Sequence, residues 1–280
     1  MIPIAHHKTR HGEIVVLGNR TSVAYWQDER HQSHADKSGV SLAGYIHAIH
    51  GLVRQANCRD VLMIGCGGGT LATMLHAGGT KVTIVERNAR SFAISRKHFC
   101  LPNDVTCHVG DGRAFLENYS RRFDAIVLDA YDGDDIPQTL RTADFFELVK
   151  SRLRPKNGCF FANVIIRNGR DRRVQDLLLM MQASWPAVRL LAAPGASRRN
   201  AIAMAGAVSQ LERPNLVLRP ATGAKRLARQ LAALAFVTAP RADPRKKGGS
   251  SVNRPFTTPD RRGEFAIVPI RNETACIRFI

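Results

Sequence analysis

Between residues 61 and 184 the chain alternates five times between a short apolar run and a segment of helical period. The apolar runs cover 61–64, 81–86, 105–109, 123–129 and 159–165. The helical segments cover 70–76, 89–99, 114–119, 143–153 and 172–184. Mostly apolar strands separated by amphipathic helices belong to a parallel sheet covered on both faces. The pattern predicts an α/β fold, a Rossmann-like doubly wound sheet.

The ends of the chain read differently. The runs "AVRLLAA" and "NAIAMAG" flank a Pro/Gly/Arg turn with no helix between them, so they predict an antiparallel hairpin closing the sheet. A helix follows over 224–236, with Leu227, Leu231 and Leu234 inward. Ahead of this alternation, "GEIVVLGNRTSVAYWQ" reads as a β-hairpin turning at Gly18-Asn19. The polar stretch "DERHQSHADKSG" reads as a loop, and a helix is expected from Ser41 as its cap. Beyond Pro240, Pro, Gly, Ser and Arg replace apolar periodicity, which predicts disorder. The expected organisation is a small β region over 1–40, a nucleotide-binding domain over 41–239 and a basic tail over 240–280.

The first strand runs into "VLMIGCGGGTLATML". Gly65, Gly67 and Gly69 allow a sharp turn and a close ligand, and the next helix offers free N–H groups. Glu86 ends the second strand, 21 residues after Gly65, the distance at which an acid meets ribose hydroxyls. Asp111 follows the third strand, where it can cap a helix or reach an adenine amine. Three such groups at successive strand ends favour an adenosine site over a solvated strand end and a plain cap. No G-K-[ST] follows, so the loop is not a P-loop. The fourth strand ends in "FDAIVLDAYDGDDIP", which places Asp129, Asp132, Asp134 and Asp135 at the same sheet edge. Turn chemistry explains Asp134-Asp135 but not Asp129.

Composition excludes some classes. No stretch reaches the ~18 apolar residues of a membrane span, and the N-terminus lacks a leader's apolar core, so a cytoplasmic protein without a membrane partner is expected. The six cysteines form no C-x-x-C pair and read as reduced thiols. The pairs His31/His34 and His47/His50 lack a third ligand at zinc spacing, so no metal is expected. A formal charge of +18 invites nucleic acid, but the arginines are scattered and not interleaved with aromatics, which favours a solvated basic surface.

From Tyr45 to about Ile166 the chain resembles the spermidine synthase (polyamine aminopropyltransferase) family, in its divergent bacterial form. "VLMIGCGGGT", "VTIVERN", "VGDGRAFL" and "FDAIVLDAYD" are similar, in order and spacing, to four motifs of that family. The resemblance implies a transferase of polyamine biosynthesis with a methyltransferase-type fold. It would move an aminopropyl group from decarboxylated S-adenosylmethionine to an amine or polyamine, with a homodimer left open. It implies that Gly65, Gly67 and Gly69 hold the donor, Glu86 its ribose, and Asp111 with Gly112 its adenine. Asp129 would be catalytic, Asp132 and Tyr131 would bind the acceptor, and Gln32 would contact the donor. The chain also departs from the family: its loop "GCGGGT" is one residue shorter and lacks an aspartate, and Asn88 replaces an aspartate. S-adenosylmethionine-dependent methyl transfer, and a non-catalytic adenosine-binding relative, therefore stay open beside aminopropyl transfer.

Overall fold

The computed structural model describes residues 1–168, 171–195 and 199–237. The basic tail expected over 240–280, with Cys276, lies outside the described residues. The first four strands are β1 (Ile2–Thr9), β2 (Gly12–Gly18), β3 (Ser22–Gln27) and β4 (Arg30–Asp36), an antiparallel sheet in that order. The expected hairpin is its middle pair. The expected loop after it is instead β4, joined to β3 by a tight turn with Asp28 and Glu29 at φ +47° and +62°. Such turns are usually signalled by Asn-Gly, and Asp-Glu gives no such signal. Ile14, Val16, Val23, Tyr25 and Ala35 bury one face of this sheet against Ile94 and Phe99.

The helix α1 (Gly44–Gln55) starts later than expected and has no side-chain cap. Ser41 instead bridges to Ala35, which keeps the chain extended there, and its Oγ accepts the Ala43 N–H at 3.1 Å. Then come β5 (Asp60–Ile64), α2 (Thr70–Ala77), β6 (Lys81–Glu86), α3 (Ala89–His98), β7 (Thr106–Val109), α4 (Gly112–Asn118) and β8 (Ala125–Leu128). A 3-10 turn at Gln138–Leu140 leads to α5 (Ala143–Ser151), β9 (Cys159–Ile166), α6 (Arg172–Ser184), β10 (Val188–Ala192), β11 (Arg199–Gly206), α7 (Ala224–Ala232) and β12 (Ala235–Val237). The large sheet has the order β12-β10-β11-β9-β8-β5-β6-β7. Strands β5 to β9 pair in parallel, and β10, β11 and β12 add antiparallel. The fold is the predicted mostly parallel Rossmann-like sheet closed by an antiparallel hairpin.

Alternation along β5 shows why it is apolar from Val61 onward. Val61 and Met63 pack into one core, Leu62 and Ile64 into the other, so both faces exclude water. The expected helix over 224–236 ends at Ala232, and Ala235–Val237 pair with β10 as an edge strand. The Arg189 guanidinium lies 3.5 Å from the centre of the Phe236 ring, a cation–π contact that fixes this edge. Among the described residues, no helix is long and apolar enough to cross a membrane.

One consequence for stability follows from α1. His50 is 3% exposed in the core beside His47. Burial first, then the charges of His47 and Arg54, push its pKa down to about 4. The unfolded chain takes this proton near pH 6.5, the folded chain only near 4, so stability is full above 6.5 and falls as pH drops between them. From pH 7 to pH 5 the loss from this group should be about 2 kcal/mol. Urea unfolding at both pH values checks it: the drop should shrink in His50→Leu, and an equal drop in that variant would assign the loss to other groups.

Candidate functional site

Strand order sets where a ligand can sit. β5 and β8 are neighbours, and the chain leaves them in opposite directions, towards β6 and β7 on one side and β9 on the other. The carboxyl ends at such a reversal form a crevice. Gly65 and Asp129 leave these two strands side by side: Gly65 N–H donates to the Val85 carbonyl and Asp129 N–H to the Ile64 carbonyl, both at 2.9 Å. Gly65 has φ +97°, and a methyl on it would overlap the backbone carbonyl of Asp129. Only a bare residue lets the two strand ends touch. The loop is also pinned from outside. Gly68 N–H donates to Ser33 Oγ of β4 at 2.9 Å, and Gly69 is the N-cap of α2.

Glu86, at the end of β6, accepts the Cys66 N–H at 3.0 Å and the Asn88 N–H at 2.8 Å. Each carboxylate oxygen thus ties a loop to the sheet edge. Burial pushes its pKa up, and these N–H bonds pull it back. Asp111 is the N-cap of α4, its Oδ1 accepting the Arg113 and Ala114 N–H groups at 2.9 and 3.0 Å.

Asp129 is the centre of a hydrogen-bonded chain. Its Oδ1 accepts from Asn163 Nδ2 at 2.7 Å, and Tyr45 OH reaches its Oδ2 at a longer 3.4 Å. Asn163 Oδ1 in turn accepts from Asn200 Nδ2 at 2.9 Å, and Tyr131 OH donates to the Asn163 carbonyl at 2.8 Å. Burial raises the Asp129 pKa, more than the Asn163 and Tyr45 bonds lower it. Burial and the Asp129 charge keep Tyr45 protonated, so it stays a donor. The hydrogen-bonding neighbours of Asp129, Asn163 and Tyr45, are both neutral, so neither compensates the charge of the carboxylate.

Two cavities meet at this residue. One, of about 390 Å³, is lined by Gly65, Gly67, Glu86, Asp111, Gly112 and Asp132. The other, of about 870 Å³, is lined by Tyr45, Thr70, Asn163, Asn200 and, from α7, Arg226, Arg229, Gln230 and Leu231. Gln32, Gly67, Asp129 and Tyr131 line both. Gly69 lines neither. Of the acidic loop, Asp132 lines only the smaller cavity. Asp135 pairs with Arg141 at 3.0 Å and Arg173 at 3.4 Å, and Asp134 with Arg30 at 3.5 Å. Among the described residues, no cluster of three His, Cys, Asp or Glu could hold a metal. His31 and His34 stack edge to face with ring centres 5.8 Å apart.

Sequence reading missed Asn163, Asn200 and the hydroxyl of Tyr45. Asn163 carried a signal: it is the one polar residue in the buried strand "CFFANVII", and a buried amide needs partners. Asn200 gave none, because strand register alone brings it to Asn163. Asn163 pairs with Ile202, and Asn200, two residues earlier, projects to the same face. Tyr45 gave none either, because it packs on α1 among apolar core residues and only its hydroxyl reaches the site.

A family model described as a methyltransferase domain matches residues 61–151. The polyamine aminopropyltransferase of Chromobacterium violaceum is 30% identical over 152 residues, 52% of this chain and 56% of that protein. The eEF1A lysine and N-terminal methyltransferase homolog of Drosophila pseudoobscura pseudoobscura is 32% identical over 144 residues, 46% of this chain and 21% of that protein. The chain spans about half or less of the length of these curated relatives. Among solved structures, a probable spermidine synthase from Corynebacterium glutamicum ATCC 13032 superposes with a TM-score of 0.69 at 20% identity, over 90% of this chain and 99% of that one. The likeness of sequence to the aminopropyltransferases agrees with the motif order, so the chain is similar to polyamine aminopropyltransferases over about half its length and has a methyltransferase-type Rossmann-like fold.

Proposed function

We propose that the protein transfers an alkyl group, aminopropyl in the first instance, from a sulfonium-adenosine donor to an amine. The observation that carries this reading is the position of Asp129 where two cavities join. The smaller has the strand-end groups suited to an adenosine: Glu86 for the ribose, Asp111 with Gly112 for the base, and the 65–67 backbone for the sulfonium end. The larger takes the acceptor, and Gln32 and Tyr131 stand between the two. Residues 41–239 form the catalytic unit in this reading, with 1–40 as its small β region.

The chemistry is an in-line displacement. The amine nitrogen forms a bond to the carbon on sulfur, the carbon–sulfur bond breaks, and its electron pair leaves with a neutral thioether. Because the sulfonium is already a good leaving group, positioning is the protein's main work. An alkylamine has a pKa near the ~10.4 of Lys and arrives protonated. Asp129 accepts that proton, and its raised pKa suits it to the task. Asn163 and Tyr45 hold the carboxylate in place.

One observation favours methyl transfer as a second reading. The loop Cys66–Gly67–Gly68 has no acid to hold a decarboxylated donor's ammonium or to repel the carboxylate of S-adenosylmethionine. Like charges at ~4 Å and an effective dielectric of ~20 cost ~4 kcal/mol, so that omission should relax donor choice. S-adenosylmethionine should bind within about tenfold of its decarboxylated form, a difference of about 1.4 kcal/mol. Side-by-side titration checks this, and a hundredfold preference for the decarboxylated donor would restore strict aminopropyl transfer. Glu86→Ala should weaken methylthioadenosine by ~1–3 kcal/mol, because the ribose hydroxyls lose their partner. Unchanged affinity in calorimetry of the folded variant would remove the ribose assignment.

A further inference from the structure

The larger cavity has a charge balance unlike that expected for a polyamine. Its charged lining is Arg30, Asp129, Asp134, Arg199, Arg226 and Arg229. Asp134 and Arg30 face each other at 3.5 Å and largely cancel. What remains among the described residues is one carboxylate, Asp129, against the two arginines of α7, with Arg199 at the strand end beside them. Among the described residues none of Arg199, Arg226 and Arg229 has an ion pair. Arg226 is fixed by neutral acceptors, the Leu42 carbonyl at 2.9 Å and Gln230 Oε1 at 3.3 Å, so its charge is uncompensated. Arg226 and Arg229 lie three apart on α7 and share a face. Arg199 opens β11 at the rim of the cavity, and because side chains alternate along a strand it projects away from the face of Asn200.

A diamine or polyamine that offers one nitrogen to Asp129 brings its other ammonium groups into this arginine field. An acceptor with a negative group at its far end meets complementary forks instead, since guanidinium pairs with carboxylate in two parallel hydrogen bonds. We propose that the acceptor is a small amine that also carries a carboxylate, its nitrogen at Asp129 and its carboxylate at Arg226 and Arg229. The proposal rests on the transfer reading above for the role of Asp129, and it changes the acceptor class from a polycation to an amino acid.

The test compares two probes of equal length, 1,4-diaminobutane and 4-aminobutanoate, titrated into the full chain saturated with methylthioadenosine. The aminobutanoate should bind at least tenfold more tightly, and Arg229→Gln should erase that preference while methylthioadenosine affinity stays within twofold. Equal or tighter binding of the diamine, or no binding of either, overturns the proposal. A third arm separates the acceptor's carboxylate from the donor's. If Arg229→Gln weakens S-adenosylhomocysteine tenfold and leaves aminobutanoate unaffected, the arginines serve the donor and the proposal fails. A single-stranded oligonucleotide that displaces aminobutanoate would assign them to nucleic acid and overturn it as well. Binding is read without turnover, so failure of the transfer reading would show separately, as absence of product with every donor and acceptor.

Discussion

Replacing Asp129 by Asn should lower the transfer rate by ~10²–10⁴-fold and leave donor affinity within about threefold. The amide has the shape of the carboxylate. Its oxygen can still accept from Asn163 Nδ2, and its nitrogen can face the Tyr45 oxygen, so the hydrogen-bonded chain closes and the fold should persist. What is lost is the acceptor for the amine's proton. In the wild type the raised Asp129 pKa adds a second mark. The rate should fall with acid at a pH above the ordinary carboxylate range, because the base is lost once it protonates. Steady-state rates across pH check both statements. A loss below tenfold with an unshifted acid limb would make Asp129 a structural residue of the strand end.

Gly65→Ala should do more damage to the fold than any other single methyl in the glycine loop. The residue holds φ +97°, and its added methyl would overlap the Asp129 carbonyl. Left-handed strain and forced displacement of a packed backbone together cost about 3–5 kcal/mol. That corresponds to a fall in melting temperature on the order of 10 °C. Transfer should fall with it, since the displaced segment is the one that presents Asp129. A melting temperature unchanged within a degree or two would mean that the two strand ends separate at little cost, and that their contact is not what demands a glycine at this position.

Which parts of the fold and the site were legible in the sequence follows from what fixes each part. β5 and β8 were legible because burial on both faces demands unbroken apolar runs, and "VLMI" or "AIVL" can serve in few other places. β1 and β4 were not, because edge strands with one wet face carry polar residues such as His6, Lys8, Arg30 and His31, and their pairing is set by backbone bonds to β2 and β3. The glycine loop, Glu86, Asp111 and Asp129 were legible because they sit at strand ends, where sequence position fixes place in space. The partners of Asp129 come from three distant segments, α1, β9 and β11, and only sheet order brings them together. The arginines of the larger cavity were hidden for the same reason: Arg199, Arg226 and Arg229 look like scattered surface charge until α7 and β11 flank one cleft.

Alkyl transfer from a sulfonium donor is tested most directly by one product analysis. The protein is incubated with decarboxylated S-adenosylmethionine or S-adenosylmethionine and a panel of amines and amino acids, and the adenosine product is identified by mass. Aminopropyl transfer predicts methylthioadenosine from the decarboxylated donor, in equal amount with an alkylated amine, and its disappearance in Asp129→Asn. Formation of S-adenosylhomocysteine alone would assign the site to methyl transfer, and no thioether product from either donor, by a protein that binds both, would contradict the transferase reading.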